Sequence, residues 1–92
     1  MIQSFADEET RAVYRTGSSR RWANVARVAA RRLQGIDFAS SVGDLTSPPG
    51  NRLEKLTGDR AGQCSIRINR QWRICFPWSD AGPEDAEIVD HH

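Results

Sequence analysis

The chain has 92 residues, 38% of them hydrophobic, and its 13 basic and 12 acidic residues give a formal net charge of +1. This length predicts one domain over residues 1–92, with a single small core. No apolar run approaches the roughly 20 residues of a membrane-spanning helix, and the N-terminus lacks the pattern of a secretory signal. We therefore expect a cytoplasmic protein without a membrane span.

The first third of the chain predicts two helices. Asp7 is suited to cap the first helix, because a short acidic side chain accepts hydrogen bonds from free amides at a helix start. Gly17 is suited to end that helix, since glycine readily adopts the left-handed conformation of a helix stop. By the same signals, Asn24 begins a second helix that ends before Gly35. Both helices are amphipathic, so we expect an antiparallel pair that packs on a sheet.

The remainder of the chain predicts short strands and loops. Residues 37–51 are rich in Ser, Gly, Asp and Pro, which predicts a surface loop with one helical turn near residues 42–45. Short strands are predicted at residues 2–5, 52–56 and 86–90. The order of strand, two helices and three or four antiparallel strands predicts an α+β fold, with two N-terminal helices packed on a small antiparallel sheet.

The most regular pattern lies in residues 62–78, where apolar and polar residues alternate in two runs. Such alternation is typical of half-buried strands, so we predict a β-hairpin. A two-residue loop would pair Ile66 with Arg73 and place a charge on the apolar face. A three-residue loop over residues 69–71 pairs Ile66 with Ile74 instead. This second register keeps one face apolar, and it is the one we predict.

The predicted register sets Arg67 directly opposite Arg73 on the polar face of the hairpin. Like charges in that position destabilise a sheet, whereas two neighbouring guanidinium groups match the geometry of a phosphate. The pair is therefore either an anion-binding site or a pair of solvated surface residues. Cys64 and Cys75 fall on opposite faces, which predicts two free thiols.

Charge is unevenly distributed along the chain. Residues 10–36 contain seven arginines and no acidic residue, whereas residues 74–92 contain five acidic residues and no Lys or Arg. This asymmetry indicates a polyanion or an acidic protein as the partner of the basic region. Candidate RNA contacts are Arg20, Arg21 and Arg31 in the basic region and Arg70 in the hairpin loop.

The sequence has no metal-ligand set, no phosphate-binding glycine loop and no defensible Ser-His-Asp spacing, so we predict neither a metal nor a cofactor. RNA carries its own nucleophile, the 2′-hydroxyl, and its cleavage needs only a base, an acid and cations. The terminal His-His pair is alternatively a solvated tail or the remnant of an expression tag. The candidate catalytic residues are Arg67 and Arg73 for the phosphate, Asp90, His91 and His92 at the chain end, and Glu54 and Lys55 on the neighbouring strand.

The chain resembles the HigB branch of the RelE/ParE toxin superfamily in the runs IQSFADEETRAVYRTG, LEKLTGDRAG, GDRAGQCSIRINRQWRICF and EIVDHH. These runs match in order from residue 2 to residue 92, so the resemblance covers nearly all of the chain. The resemblance implies a type II toxin that enters the 30S ribosomal A site and cleaves mRNA, leaving a cyclic phosphate and a 5′-hydroxyl. It also implies a HigA-like helix-turn-helix antitoxin. By this resemblance Arg67 and Arg73 match the strand arginines of the family, and Asp90 and His92 match its C-terminal catalytic end.

Three positions depart from the family pattern. The chain has Glu54 where relatives often carry His, Thr57 where they often carry Lys, and His91 in place of the usual Tyr. Lys55 and His91 are candidates to compensate for these changes. Two other functions remain open: a ParE-like toxin that binds DNA gyrase without catalysis, and a simple RNA-binding module that uses only the basic helices.

Overall fold

The computed structural model describes residues 1–90 and shows two helices on one face of a five-stranded sheet, so the predicted α+β fold is confirmed. Strand β3 is central, because it pairs with β2 on one edge and with β5 and then β4 on the other. Strand β1 pairs with the free edge of β2, and all these pairings are antiparallel. The elements are α1 (Glu8–Thr16), α2 (Ala26–Phe38), β1 (Glu54–Lys55), β2 (Gln63–Arg67), β3 (Trp72–Ser79), β4 (Gly82–Pro83) and β5 (Glu87–Asp90).

Both predicted ends of α1 are confirmed. The Asp7 Oδ1 atom accepts a hydrogen bond of 2.6 Å from the amide of Thr10, which satisfies a free donor in the first turn. Gly17 adopts the left-handed conformation with φ 72°, and its amide donates to the carbonyl oxygen of Val13 at 2.8 Å. Local sequence signals therefore suffice to define this helix.

Both predicted ends of α2 were wrong. Asn24 does not cap the helix, because Val25 occupies the capping position without a side-chain hydrogen bond. Gly35 does not end it either, because the helix continues through that residue to Phe38.

Tertiary contacts account for the longer second helix. Ile36 is fully buried in the core, one residue beyond the predicted stop. The Asp37 carboxylate then accepts hydrogen bonds from the amide of Ile2 at 2.8 Å and from the hydroxyl of Tyr14 at 3.1 Å. These contacts outweigh the weak helix preference of glycine, which amounts to about 1 kcal/mol relative to alanine.

The connecting segments are less regular than predicted at two places. Residues 2–5 form an extended edge rather than a full strand, with one parallel bridge between Phe5 and Ala86. The predicted strand over residues 52–56 is reduced to the two residues of β1. The helical turn predicted within the 37–51 loop is present at Val42–Thr46.

The predicted hairpin register is confirmed. Ile66 pairs with Ile74, and the amide of Ile68 donates to the carbonyl of Trp72 at 2.9 Å across a three-residue loop. Within that loop the Asn69 Oδ1 atom accepts hydrogen bonds from the amides of Gln71 and Trp72, both at 2.8 Å. The asparagine side chain thus stabilises the turn that sets the register.

None of the helices within residues 1–90 is long and apolar enough to cross a membrane.

The core lies between the helices and the apolar face of the sheet. The sheet's other face carries Ser65, Arg67, Arg73 and Cys75. The buried side chains of the core include those of Val13, Trp22, Leu33, Ile36, Ile66, Ile74, Phe76 and Ile88.

Candidate functional site

A cleft of about 260 Å³ lies on the polar face of the sheet, beside the loop of the β2–β3 hairpin. Four arginines and one glutamate contribute to it, so its electrostatic potential favours anions. Both strand arginines and the loop arginine of the sequence-based prediction are present. The lining residues are Arg52, Glu54, Arg67, Asn69, Arg70 and Arg73.

The predicted pairing of Arg67 with Arg73 is confirmed, because the two residues are direct partners across β2 and β3. Helix α2 also supports this position: the Arg32 Nε atom donates a hydrogen bond of 3.1 Å to the carbonyl oxygen of Arg67. The backbone of Arg67 is therefore held both by strand β3 and by a side chain of helix α2.

Arg73 is buried and held on one edge of its guanidinium group, with only 4% of its surface exposed. Its Nε atom donates to Ser65 Oγ at 2.8 Å, and its Nη2 atom donates to the carbonyl oxygens of Arg52 at 2.6 Å and Ser65 at 3.3 Å. Within residues 1–90, no hydrogen bond of Arg73 uses Nη1. That nitrogen remains available to a ligand in the cleft.

None of the cleft arginines forms an ion pair with a carboxylate of residues 1–90, although Glu54 lines the same cleft. The ion pairs in that part of the chain are Arg21 with Glu9 at 2.9 Å and Arg60 with Glu87 at 3.1 Å. A buried cation without a counter-ion is costly, and neutral carbonyl and hydroxyl groups offset only part of that cost. A bound anion would offset more of it, so the arrangement around Arg73 suits phosphate.

Sequence reasoning missed three residues of this site. Ser65 falls on the predicted polar face two positions from Arg67, so the alternation already contained a signal for it. Asn69 is a loop residue whose oxygen holds the turn, and its position in the cleft follows only from the folded hairpin. Arg52 gave no signal, because its left-handed backbone (φ 45°, ψ 57°) is one that glycine or asparagine usually adopts.

The structure separates the two predicted candidates on β1. The register sets Glu54 beside Ser65 on the arginine face, where it lines the cleft. Lys55 is set beside Cys64 on the other face and lines a different depression. Successive residues of a strand point to opposite faces, so only Glu54 of these two lies on the same face as the arginine pair.

Asp90 is also separated from the arginine pair. It pairs with Trp72 and so belongs to the face of the sheet opposite Arg73, which pairs with Val89. Its Oδ2 atom accepts a hydrogen bond of 3.4 Å from the side chain of Gln71, and it does not line the cleft. The structure thus does not bring Asp90 into a shared pocket with Arg73. His91 and His92 lie outside the described residues.

The predicted RNA contacts on the helical side lie away from the cleft. Arg20, Arg21 and Arg31 are exposed, and none of them lines it. Arg21 pairs with Glu9 and lies 4.8 Å from the ring centroid of Trp22, a distance typical of a cation–π contact. Of the four predicted RNA contacts, only Arg70 belongs to the cleft.

The arginine face also carries a thiol, that of Cys75. Burial raises the pKa of Cys75, and Glu87 raises it further, while Arg60 and Arg73 act in the opposite direction. The thiol therefore stays protonated near neutral pH and is a poor nucleophile. Residues 1–90 contain no cluster of three or more His, Cys, Asp or Glu side chains arranged to hold a metal.

Comparison with known proteins identifies relatives of this chain. A protein solved in the YoeB-YefM complex from Staphylococcus aureus has the same fold, with a TM-score of 0.63 and 17% identity over 100% of this chain and 99% of that one. Toxin HigB-1 of Vibrio cholerae is 43% identical over 61 residues, which are 66% of this chain and 64% of the relative. Endoribonuclease HigB of Proteus vulgaris is 36% identical over 61 residues, which are 66% of this chain and 65% of the relative.

The matched segments therefore span slightly less than two thirds of the length of these two relatives. The family comparison covers more of the chain, since the model of the RelE-like toxins named HigB, from type II toxin-antitoxin systems, matches residues 3–92. Together with the shared fold, this match shows that the chain belongs to the HigB-like toxin family.

Proposed function

We propose that this toxin is an endoribonuclease that cleaves mRNA in the ribosomal A site, without a metal, by using the RNA 2′-hydroxyl as the nucleophile. The observation that carries the proposal is the state of Arg73, which is buried, anchored by three hydrogen bonds and opposed by Arg67 without a carboxylate partner. The name of the Proteus vulgaris relative, Endoribonuclease HigB, supports the same reaction class.

The two arginines stabilise the transition state of this reaction. Attack of the 2′-hydroxyl on the adjacent phosphorus places additional negative charge on the non-bridging oxygens, and the bond to the leaving 5′-oxygen then breaks. Guanidinium groups that are already fixed stabilise that charge without reorganising. The hydrogen bonds to Ser65 and to the Arg52 carbonyl supply this rigidity at Arg73.

The proton transfers need a base and an acid near the phosphate. Glu54 lines the cleft and is the candidate base among residues 1–90. His91 and His92 at the chain end remain candidates for the acid, since a histidine titrates near neutral pH. These assignments are part of the proposal.

The proposed partner is a HigA-like helix-turn-helix antitoxin. Membership of a toxin-antitoxin family and the fold shared with a protein of the YoeB-YefM complex support an antitoxin partner. The exposed Arg20 and Arg21, in the segment before α2, and Arg31 of α2 provide a basic surface for RNA or for an acidic part of that antitoxin.

The proposal predicts that Arg67→Gln lowers mRNA cleavage by about a hundredfold, the effect of removing one preorganised donor to a developing oxyanion. The measurement is primer extension on mRNA in a translation extract containing the purified toxin. Arg27→Gln is the matched control, because it removes the same charge from an exposed position of α2 outside the cleft.

Cleavage that is equally fast with Arg67→Gln would contradict the role of the arginine pair. Absence of cleavage by the wild-type protein, combined with inhibition of purified DNA gyrase, would replace the proposal with the ParE-like function. Salt-sensitive RNA binding without cleavage or toxicity would indicate a binding module instead.

A further inference from the structure

We propose that Arg52 binds a second phosphate of the RNA, next to the phosphate held by Arg67 and Arg73. This inference rests on the proposed function in one respect, namely that the ligand of the cleft is RNA. It adds a binding residue and the requirement that the substrate present two consecutive phosphates to the cleft.

The cleft contains four arginines, which is more than the two non-bridging oxygens of one phosphate can engage. An internucleotide phosphate has two non-bridging oxygens, and one guanidinium group with two parallel donors already engages both of them. Arg67 and Arg73 face each other directly and together saturate one such group. Arg52 lines the same cleft and therefore has a neighbouring anion as its natural ligand.

The fold gives the backbone carbonyl of Arg52 a hydrogen-bond partner, but it gives the arginine side chain no ion-pair partner within residues 1–90. The residue follows a short 3-10 turn (Pro49–Asn51) in the left-handed conformation, where its carbonyl oxygen accepts the 2.6 Å hydrogen bond from Arg73 Nη2. Glycine or asparagine would adopt this conformation with less strain. The arginine side chain is exposed and forms no ion pair within residues 1–90. Its function therefore lies outside the stability of the fold.

The same residue links the two phosphate positions. The main-chain carbonyl of Arg52 accepts a hydrogen bond from the guanidinium group of Arg73, and Arg52 is one of the residues that line the cleft. An RNA strand whose first phosphate is held by Arg73 thus meets a second arginine whose backbone is fixed relative to the first. The substrate is single-stranded RNA, because an extended strand can place successive phosphates along the cleft while its bases remain unpaired.

The test uses two ligands that the protein cannot cleave because the 2′-oxygen is methylated. One is a 2′-O-methyl dinucleotide with a single phosphate, and the other is a 2′-O-methyl trinucleotide with two. Affinities are measured by NMR titration at several salt concentrations. The variants are Arg52→Asn, which keeps a residue tolerant of the left-handed backbone, Arg67→Gln, and the control Arg27→Gln.

For Arg52→Asn we expect trinucleotide affinity to fall about three- to tenfold, with dinucleotide affinity unchanged. The salt dependence of trinucleotide binding should also decrease by about 0.7 in the slope of log K against log salt, the value for one lost phosphate contact on a single strand. Arg67→Gln should weaken both ligands, and Arg27→Gln neither. Thermal melting of each variant verifies that it is folded, and Arg52→Gly provides a second variant with the same backbone.

Equal weakening of both ligands by Arg52→Asn and Arg52→Gly would overturn the second phosphate position, as would no weakening of either ligand. If either of these outcomes is found while Arg67→Gln lowers the affinity for both ligands, only the second phosphate position is overturned. If Arg67→Gln has no effect, or if neither ligand binds the wild-type protein, the proposed function of the cleft fails as well.

Discussion

The central residue of this molecule is Arg73, a cation that the fold buries without a carboxylate partner within residues 1–90. A group of this kind contributes little to stability unless its donors are satisfied. Ser65, itself fully buried, meets part of that requirement with both its hydroxyl and its carbonyl oxygen. Residues that hold Arg73 are therefore as important to the cleft as residues that line it.

Replacement of Ser65 tests this dependence. We expect Ser65→Ala to lower the free energy of unfolding by about 1.5–3 kcal/mol, the range for a hydrogen bond to a charged group, because the Nε donor of Arg73 loses its acceptor. Urea denaturation measures the change. Ser40→Ala is the control, since this serine is exposed and its side chain forms no hydrogen bond within residues 1–90.

A loss for Ser65→Ala no greater than that for Ser40→Ala would show that the hydroxyl does not hold Arg73. A large loss accompanied by unchanged affinity for the 2′-O-methyl trinucleotide would show that Ser65 supports the fold but not the orientation of the ligand-binding donor.

Residue by residue, the sequence predicted only the part of the site that depends on strand alternation. Strand alternation alone places Arg67 opposite Arg73, because a period of two fixes both register and face. The same period places Lys55 on the other face of the sheet, and Asp90 pairs with Trp72 rather than with Arg73. Arg52 could not be predicted, because its conformation depends on a hydrogen bond to a residue 21 positions away.

At the scale of elements, the two helices differ in how much local sequence determines them. The ends of α1 follow from Asp7 and Gly17, whose capping contacts lie within a few residues. The end of α2 instead depends on the burial of Ile36 and on the contacts of Asp37 with Ile2 and Tyr14, which no local pattern reveals. Tertiary packing thus overrides glycine as a stop signal.

Replacing the two helix-associated glycines tests this difference. Gly35 lies inside α2 without positive φ, and a Cβ atom there would meet nothing within 4 Å, so Gly35→Ala should raise the free energy of unfolding by about 0.5–1 kcal/mol. Gly17 has φ +72°, so Gly17→Ala should lower that free energy by about 1 kcal/mol even though the space around it is open. Thermal and urea unfolding of both variants give the comparison.

Destabilisation by Gly35→Ala comparable to that by Gly17→Ala would contradict the account of α2. It would indicate that Gly35 needs a conformation that alanine cannot adopt, as the sequence pattern alone had predicted.

At the scale of the whole molecule, positive charge is presented on two sides of the sheet. The helices cover the apolar face, and the exposed Arg20, Arg21 and Arg31 lie in α2 and the segment before it, whereas the cleft lies on the opposite face. The net charge of +1 hides both regions. The cleft differs from the helical surface because one of its cations is buried and anchored, which gives it geometric specificity as well as charge.

The most direct measurement is therefore the location of bound RNA on the folded protein. ¹⁵N-labelled toxin is titrated with a 2′-O-methyl RNA, and chemical-shift changes are followed at backbone amides and arginine Nε groups. We predict that the largest changes occur at Arg67, Asn69, Arg70 and Arg73. Changes confined to Arg20, Arg21, Arg31 and the two helices, with the cleft signals unmoved, would contradict the assignment of the cleft as the RNA site.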